Sequence, residues 1–176
     1  MQVSFSDNTK IMILALFGTN PYPFDRLTEL LEIVAAESGV EIVAQIGASR
    51  APTHCTSFDF APRERVLDLM RQSELVIAQG GYGSCLDALS QGRPLVIVPR
   101  RRQLGESLDD QLELADLLSN SGRAQCAHNV DELREAIADT TNPLAHATKQ
   151  PQTYGSQVAV EIARHLGISS ELRDAN

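Results

Sequence analysis

The chain is poor in cysteine, in basic clusters and in long hydrophobic runs, and each shortage excludes a class of protein. Its 176 residues include three cysteines, Cys55, Cys85 and Cys126. They are widely spaced, odd in number and without a CxxC pair, so the sequence predicts neither a zinc cage nor a disulfide framework. A reducing cytoplasm is the simplest compartment for such a chain, and Cys85 is expected to be a small buried residue under a helix.

Positive charge is also scarce. The formal net charge is −8, and the only dense basic run is Arg100-Arg101-Arg102. Proteins that bind nucleic acids need clustered Lys and Arg to neutralise phosphates, so we expect no nucleic-acid partner. No cluster of carboxylates suggests a metal site, and we expect no metal and no cofactor.

No apolar stretch is long enough to cross a membrane. The longest, Ile11 to Phe17, is far below the roughly 20 residues that a membrane-spanning helix requires. Met1 to Lys10 is polar and has no apolar segment directly after a basic start, so a secretion signal is not expected. We therefore expect a cytoplasmic protein.

The rest of the chain alternates short apolar runs with amphipathic helical patterns, which predicts an α/β fold with a Rossmann-like parallel sheet and helices on both faces. The predicted strands are 11–17, 41–46, 57–60, 75–78, 95–98 and 124–127. The predicted helices run from Pro23 or Asp25 to Ser38, from Pro62 through Met70, over 84–91, from about 109 to 119, and over 130–138. This pattern indicates one domain at 11–140, after an extension at 1–10. A linker or arm at 141–152, an amphipathic helix within 153–168 and a tail at 169–176 follow. The last helix either covers the domain's own core or docks on a partner.

A glycine-rich turn after the strand at 75–78 predicts an anion site. Gln79-Gly80-Gly81-Tyr82-Gly83 reads as a non-helical turn, and Ser84 as the N-cap of the next helix. The free N–H groups at such a helix start, with the positive end of the dipole, favour a phosphate. Asp87 lies one turn further on, where a carboxylate can accept hydrogen bonds from both hydroxyls of a ribose. An ordinary turn and a solvated carboxylate would give the same pattern.

Three loops of unusual composition follow predicted strands, at 18–24, 79–83 and 99–110. The carboxyl ends of parallel strands share one edge, where ligands of such sheets bind, so we expect these loops to converge. At least one arginine of Arg100 to Arg102 is then a candidate clamp for a phosphate or for a sugar carboxylate, with contact to an anionic lipid as an alternative.

Three groups of segments resemble the nucleotide-binding half of glycosyltransferase family 28. They are Phe17-Gly18-Thr19 with Pro23 to Leu27, Gly80 to Ser84 with Asp87-Ala88-Leu89, and Gly92-Arg93-Pro94 with Val98 to Arg101 and Gln111-Leu112-Glu113. The resemblance covers most of residues 11–140 and implies the C-terminal half of a GT-B glycosyltransferase. The chain is most similar to small catalytic subunits of bacterial exopolysaccharide and capsule glycosyltransferases. It is also similar to the soluble subunit of the eukaryotic enzyme that adds N-acetylglucosamine to a dolichol-linked sugar.

The resemblance implies roles for individual residues. Gly18 and Thr19 would lie near a diphosphate. The glycine-rich turn after the strand at 75–78, called the hinge below, and the helix start would bind this diphosphate. Asp87 would take the ribose, the backbone of Phe60-Ala61 would hold uracil, and Arg100, Asp110 and Gln111 would contact the donor sugar. The hinge set consists of Gln79, Gly80, Gly81, Tyr82, Gly83 and Ser84. Relatives commonly have His where this chain has Gln79 and Asp110, and usually Glu at the position of Asp87.

The implied function is that of a donor-binding catalytic subunit in a two-component inverting glycosyltransferase. It would move a sugar from a UDP-sugar to a lipid-linked acceptor in polysaccharide biosynthesis. Members of full length carry an acceptor domain ahead of this one, so a membrane-anchored acceptor-binding partner would recruit the chain to the inner face of the membrane. Arg100 would stabilise the leaving group, and Asp110 or a partner residue would act as general base. The alternatives are a non-catalytic stabilising or regulatory subunit and a free-standing UDP-sugar epimerase.

Overall fold

The computed structural model describes residues 11–141, in which strands and helices alternate as predicted. The elements are β1 (Met12–Leu16), α1 (Asp25–Ser38), β2 (Glu41–Gln45), β3 (Thr56–Phe58), α2 (Arg63–Gln72), β4 (Leu75–Ala78), α3 (Tyr82–Ser90), β5 (Leu95–Ile97), α4 (Leu112–Asn120), β6 (Gln125–Cys126) and α5 (Val130–Thr141). A short 3₁₀ turn, Arg102–Leu104, lies between β5 and α4. The extension at 1–10, the helix within 153–168 and the tail at 169–176 lie outside the described residues. α5 includes residue 141, the first of the predicted linker.

Within the described residues, six strands form one sheet in the order β3-β2-β1-β4-β5-β6, with every neighbouring pair parallel. The strand order reverses between β1 and β4, where Leu16 pairs with Ala78. The crevice at the carboxyl ends of such a pair is the usual ligand site of an open parallel sheet. The predicted Rossmann-like α/β fold is therefore confirmed, and its switch point lies at the predicted glycine hinge.

Apolar residues fill both faces of the sheet because successive side chains of a buried strand point to opposite sides. In β1 and just after it, Ile13, Ala15 and Phe17 join a core that includes residues of α1 and α5. Leu14 and Leu16 join a second core, formed with α2, α3 and α4. The helices therefore cover both faces of the sheet, as the alternating pattern predicted.

Hydrogen bonds between main-chain groups continue past the strand ends and tie three loops together. The N–H of Gln79 donates to the carbonyl of Leu16 at 3.2 Å, and the N–H of Arg100 donates to the carbonyl of Gln79 at 3.2 Å. Next along the same edge, the N–H of Gln111 donates to the carbonyl of Arg100 at 3.1 Å. The loops after β1, β4 and β5 thus lie side by side, which is the convergence that their positions in the sequence predicted.

The start of α3 differs from the prediction. The helix begins at Tyr82 with Gly81 as its N-cap, so Tyr82 and Gly83 are helical and Ser84 is the third helical residue rather than the cap. The N–H of Cys85 donates to the carbonyl of Gly81 at 3.2 Å, and this bond brings Tyr82, Gly83 and Ser84 into the first turn. A glycine inside a helix costs only about 1 kcal/mol relative to alanine, which argues only weakly against this start.

The loop before α4 is also longer than predicted, because this helix begins at Leu112 rather than near Asp109. The carboxylate of Asp110 accepts a hydrogen bond from the main-chain N–H of Arg102 at 2.8 Å, which holds this segment against the 3₁₀ turn. Among residues 11–141, none of the helices has the length and apolar character needed to span a bilayer.

Candidate functional site

The side-chain amide of Gln79 lies between the ends of β1 and β4. A Cβ atom added to Gly18 would lie 2.2 Å from Nε2 of Gln79, and one added to Gly81 would lie 2.7 Å from the same atom. Gly18 also has a φ of +77°, which side chains other than glycine rarely adopt. Both backbone conformation and space therefore favour glycine at position 18. Gln79 faces the predicted anion site at the start of α3, called the corner below.

The start of α3 forms an open corner beside Gln79. The first hydrogen bond within the helix runs from the N–H of Cys85 to the carbonyl of Gly81 at 3.2 Å, so the N–H groups of Tyr82, Gly83 and Ser84 have no carbonyl within the helix to bind. No side chain caps this end. Tyr82 and Gly83 are exposed, and a Cβ added to Gly83 would meet nothing within 4 Å. These N–H groups and the helix dipole can therefore receive an anion.

Asp87 is engaged by a residue that the sequence analysis did not single out. Both carboxylate oxygens accept hydrogen bonds from Arg63, the first residue of α2, with Nε of Arg63 3.3 Å from Oδ2. The side chain of Arg63 is 72% exposed and that of Asp87 is 19% exposed. The only available signal was an arginine directly after Pro62, at the start of the helix that follows β3. Each carboxylate oxygen can accept a further hydrogen bond, and Arg63 is exposed, so a hydroxyl pair can reach Asp87 beside Arg63 or in its place.

Phe60 forms the rim on the β3 side of the crevice. Its side chain is 60% exposed, and its ring would contact a Cβ added to Gly47 at 3.8 Å. That same Cβ would lie 2.8 Å from the carbonyl oxygen of Gly18. The segment Phe60-Ala61 is therefore near the end of β1. It also precedes Arg63, so the predicted base-binding and ribose-binding residues are neighbours.

Arg100, one of the three arginines among which a phosphate or sugar clamp was predicted, does not project into the crevice. It is 1% exposed, and its guanidinium donates to Oε1 of Gln79 and to the carbonyl of Phe17 at 2.8 Å. It also donates to the carbonyls of Tyr22 at 2.8 Å and Glu106 at 2.6 Å. Burial lowers the pKa of Arg100 to about 10, and the charge of Glu106 opposes this shift. The side chain thus remains charged at neutral pH, but the protein's own oxygen atoms surround it.

A second arginine supports the same loop. Arg26 on α1 donates through Nε and Nη2 to the two carboxylate oxygens of Glu106, at 2.9 Å and 3.0 Å. Glu106 is buried and also accepts a hydrogen bond from the main-chain N–H of Arg101 at 2.9 Å. The loop after β5 is therefore fixed to α1 at Glu106, while Leu104 and Leu108 on the same loop are exposed.

The other predicted donor-sugar residues lie on this edge. Asp110 is exposed and uses Oδ1 to hold the 3₁₀ turn, as described above. Gln111 packs on the hinge, because a Cβ added to Gly80 would lie 3.1 Å from the carbonyl oxygen of Gln111. Its Oε1 is buried and has no hydrogen-bond partner within residues 11–141. Thr19 is exposed directly after Gly18.

The cysteines do not form a reactive centre. Cys85 is 0% exposed, and burial raises the pKa of its thiol to about 12. This confirms the prediction that Cys85 is a buried packing residue. In the described part of the chain, no three His, Cys, Asp or Glu residues are grouped so that they could hold a metal ion.

Comparisons with known proteins identify the family of the chain. The model of the glycosyltransferase family 28 C-terminal domain matches residues 27–165. The mouse protein "UDP-N-acetylglucosamine transferase subunit ALG13" is 28% identical over 109 residues, which cover 53% of this chain and 9% of the mouse protein.

Solved structures share the fold. The glycotransferase of kitacinnamycin aligns with a TM-score of 0.61 at 20% identity and covers 93% of this chain. The calicheamicin glycosyltransferase CalG4 aligns with a TM-score of 0.59 at 15% identity over 97% of this chain. SnogD from Streptomyces nogalater aligns with a TM-score of 0.58 at 17% identity over 90% of this chain.

The chain spans only part of each of these proteins. The aligned part makes up 45% of the kitacinnamycin enzyme and 44% of each of the other two structures. The fold is therefore that of one half of a GT-B glycosyltransferase. Because the family model matches most of the chain, this protein belongs to glycosyltransferase family 28 and is similar to its C-terminal domain.

Proposed function

We propose that this chain is the donor-binding catalytic subunit of a two-component inverting glycosyltransferase, which moves a sugar from a UDP-sugar to a lipid-linked acceptor in polysaccharide biosynthesis. One observation carries the proposal. The open start of α3 lies beside the end of β1 at the switch point of the sheet, with a carboxylate one turn further along the helix.

The diphosphate binds at the start of α3. The N–H groups of Tyr82, Gly83 and Ser84 point to the position of the anion, and Gly81 and Gly83 allow the main chain to approach it closely. Gly18, Thr19 and Gly80 border the same position. The helix dipole and these N–H groups stabilise the charge that develops on the leaving UDP, as preorganised donors do in other transfer reactions.

The nucleoside lies towards β3. Asp87 exchanges Arg63 for the two ribose hydroxyls, and the main chain of Phe60-Ala61 binds uracil. The existing ion pair supports this assignment, because it shows that the carboxylate can be approached by two donors at once. The donor sugar then lies towards the loop after β5, near Gln111, whose buried Oε1 has no hydrogen-bond partner within residues 11–141.

The acceptor comes from a second protein. A matched relative is itself named a subunit of a transferase, which supports this assignment. A membrane-anchored partner would supply the lipid-linked acceptor and hold this chain at the inner face of the membrane. Asp110 is exposed on the loop after β5, where it or a group from the partner removes the proton of the acceptor hydroxyl.

Calorimetric titration tests donor binding. UDP, UDP-glucose, UDP-glucuronate and UDP-N-acetylglucosamine are titrated into the protein, with NAD as the control ligand. We expect heat with UDP and with at least one UDP-sugar, and none with NAD. Heat with NAD and none with UDP would overturn the proposal.

Activity measurements test the division of labour. The chain alone should leave UDP-sugars unchanged, whereas the pair reconstituted with its partner should transfer the sugar. Asp87→Ala should raise the donor KM of the pair, because each lost ribose hydrogen bond contributes roughly 1 kcal/mol. Asp68→Ala is the matched control, since Asp68 also pairs with an arginine on a helix surface. Turnover by the chain alone would indicate an epimerase, and an unchanged KM for Asp87→Ala would indicate a non-catalytic subunit.

A further inference from the structure

The environment of Arg100 suggests a role other than direct contact with a ligand. Its guanidinium is bound to oxygen atoms from three loops, which follow β1, β4 and β5. It also lies over the ring of Phe24, 4.6 Å from the ring centre. Three of the four acceptors are main-chain carbonyls. The fourth, Oε1 of Gln79, is the only side-chain acceptor of Arg100 recorded within residues 11–141.

This contact determines which way the amide of Gln79 faces. Nε of an arginine is a donor only, so the atom that approaches it must be the carbonyl oxygen of the amide and not the nitrogen. The nitrogen, Nε2, is then turned to the opposite side. There it lies against Gly18 and Gly81, as the distances of 2.2 Å and 2.7 Å to Cβ atoms added at these glycines establish.

The position of Nε2 is next to the anion-binding corner. Gly81 is the N-cap of α3. Gly18 directly follows Phe17, a core residue just after β1. Nε2 donates to no acceptor within residues 11–141, so its N–H groups are available to a ligand at the corner. With the amide rotated by half a turn, the carbonyl oxygen would face the corner and would repel an anion.

We propose that Arg100 is a positioning residue that acts through Gln79: it fixes the amide so that Nε2 donates to the diphosphate. This inference rests on the proposed function and assigns part of its phosphate recognition. A buried arginine here binds carbonyl oxygens of neighbouring loops and one side-chain amide. It therefore holds the N–H groups of that amide in place before the ligand arrives, and the ligand does not have to order them.

The variant Gln79→Glu tests the orientation. Glutamate has the same shape and keeps an oxygen for Arg100, now as an ion pair, but it replaces Nε2 with an anionic oxygen. Gln91→Glu is the matched control, because it makes the same charge change on a glutamine whose Oε1 also accepts from an arginine, Arg71, at 3.4 Å. Affinities for UDP and for uridine are measured by NMR titration.

We expect Gln79→Glu to bind UDP at least tenfold more weakly than the unmodified chain, with uridine affinity changed by less than twofold. Gln91→Glu should leave both affinities unchanged. UDP binding by Gln79→Glu as tight as that of the unmodified chain would overturn this inference alone. Absence of UDP binding by the unmodified chain would overturn the proposed function, and this inference with it.

A second variant tests Arg100 itself. Arg100→Lys keeps the charge but has one donor group where four acceptors must be reached. We expect its preference for UDP over uridine to fall at least fivefold while its uridine affinity is retained. A merely structural role would lower both affinities together, and that result would overturn the assignment.

If Arg100→Lys does not fold, the amide is observed directly in the unmodified chain. The side-chain N–H signals of Gln79 are identified by their loss in Gln79→Glu. We expect these signals to shift with UDP and not with uridine. Equal shifts with both ligands, or none with UDP, would show that Nε2 does not meet the diphosphate.

Discussion

The substitution Gly18→Ala tests the close packing of the crevice most sharply, because the chain contains a matched control. Gly18 and Gly122 both have a positive φ, +77° and +68°. A non-glycine residue in this conformation costs about 1–2 kcal/mol. A Cβ on Gly122 would meet nothing within 4 Å, whereas one on Gly18 would lie 2.2 Å from Nε2 of Gln79. The two variants therefore share the backbone cost and differ in the collision.

The collision at Gly18 has a definable magnitude. To relieve it, the amide of Gln79 must move away, and this breaks its hydrogen bond with the buried guanidinium of Arg100. A hydrogen bond to a charged group contributes about 1.5–3 kcal/mol. We therefore expect Gly18→Ala to lower the free energy of unfolding by about 2.5–5 kcal/mol, and Gly122→Ala by about 1–2 kcal/mol.

Urea unfolding followed by circular dichroism measures both values, since the chain has no tryptophan to report by fluorescence. The denaturant dependence of the two variants should be the same, so that their midpoints can be compared. Equal destabilisation by the two substitutions would refute the argument that Gln79 is held rigidly between β1 and β4.

Three further predictions concern other parts of the molecule. Gly83→Ala should stabilise the fold by up to about 1 kcal/mol in urea and weaken UDP binding in calorimetry; unchanged UDP affinity would exclude a close approach there. Hydrogen bonds with Arg50 and Thr53 lower the pKa of Glu32 from 4.5 to about 2. This contribution to stability is present above pH 4.5 and lost as the pH falls towards 2. When the pH is lowered from 4.5 to 2, the melting temperature of Glu32→Gln should therefore fall less than that of the unmodified chain. At pH 8, Cys85 should resist iodoacetamide until urea unfolds the protein, as mass spectrometry can follow; fast labelling of the native protein would contradict its burial.

The sheet and the converging loops could be predicted from the sequence because their signals are local. Apolar runs such as Leu75 to Ala78 mark buried strands, and the glycines that follow mark turns. The alternation of strands and helices then predicts a parallel sheet, whereas the order of its strands was not predicted. The prediction for the start of α3 was wrong because glycine at position 83 argues against a helix only weakly.

The roles of the arginines could not be read from the sequence for a different reason. Arg100 binds Phe17 and Tyr22, which are 83 and 78 residues away along the chain, so nothing near it indicates that it points inwards. The pairing of Arg63 with Asp87 likewise joins residues 24 apart. The ligand roles of the glycines, Thr19, Phe60 and Gln111 stay predictions, which the titrations above address.

The way Arg100 is bound has a consequence for how this protein can change over time. Most of its acceptors are main-chain carbonyl oxygens, which every amino acid carries. Tyr22 can therefore be replaced by other residues without loss of that contact. The course of the main chain has no such freedom. We therefore expect a library that randomises position 22 to retain many folded variants, and one that inserts a single residue between 18 and 22 to retain few.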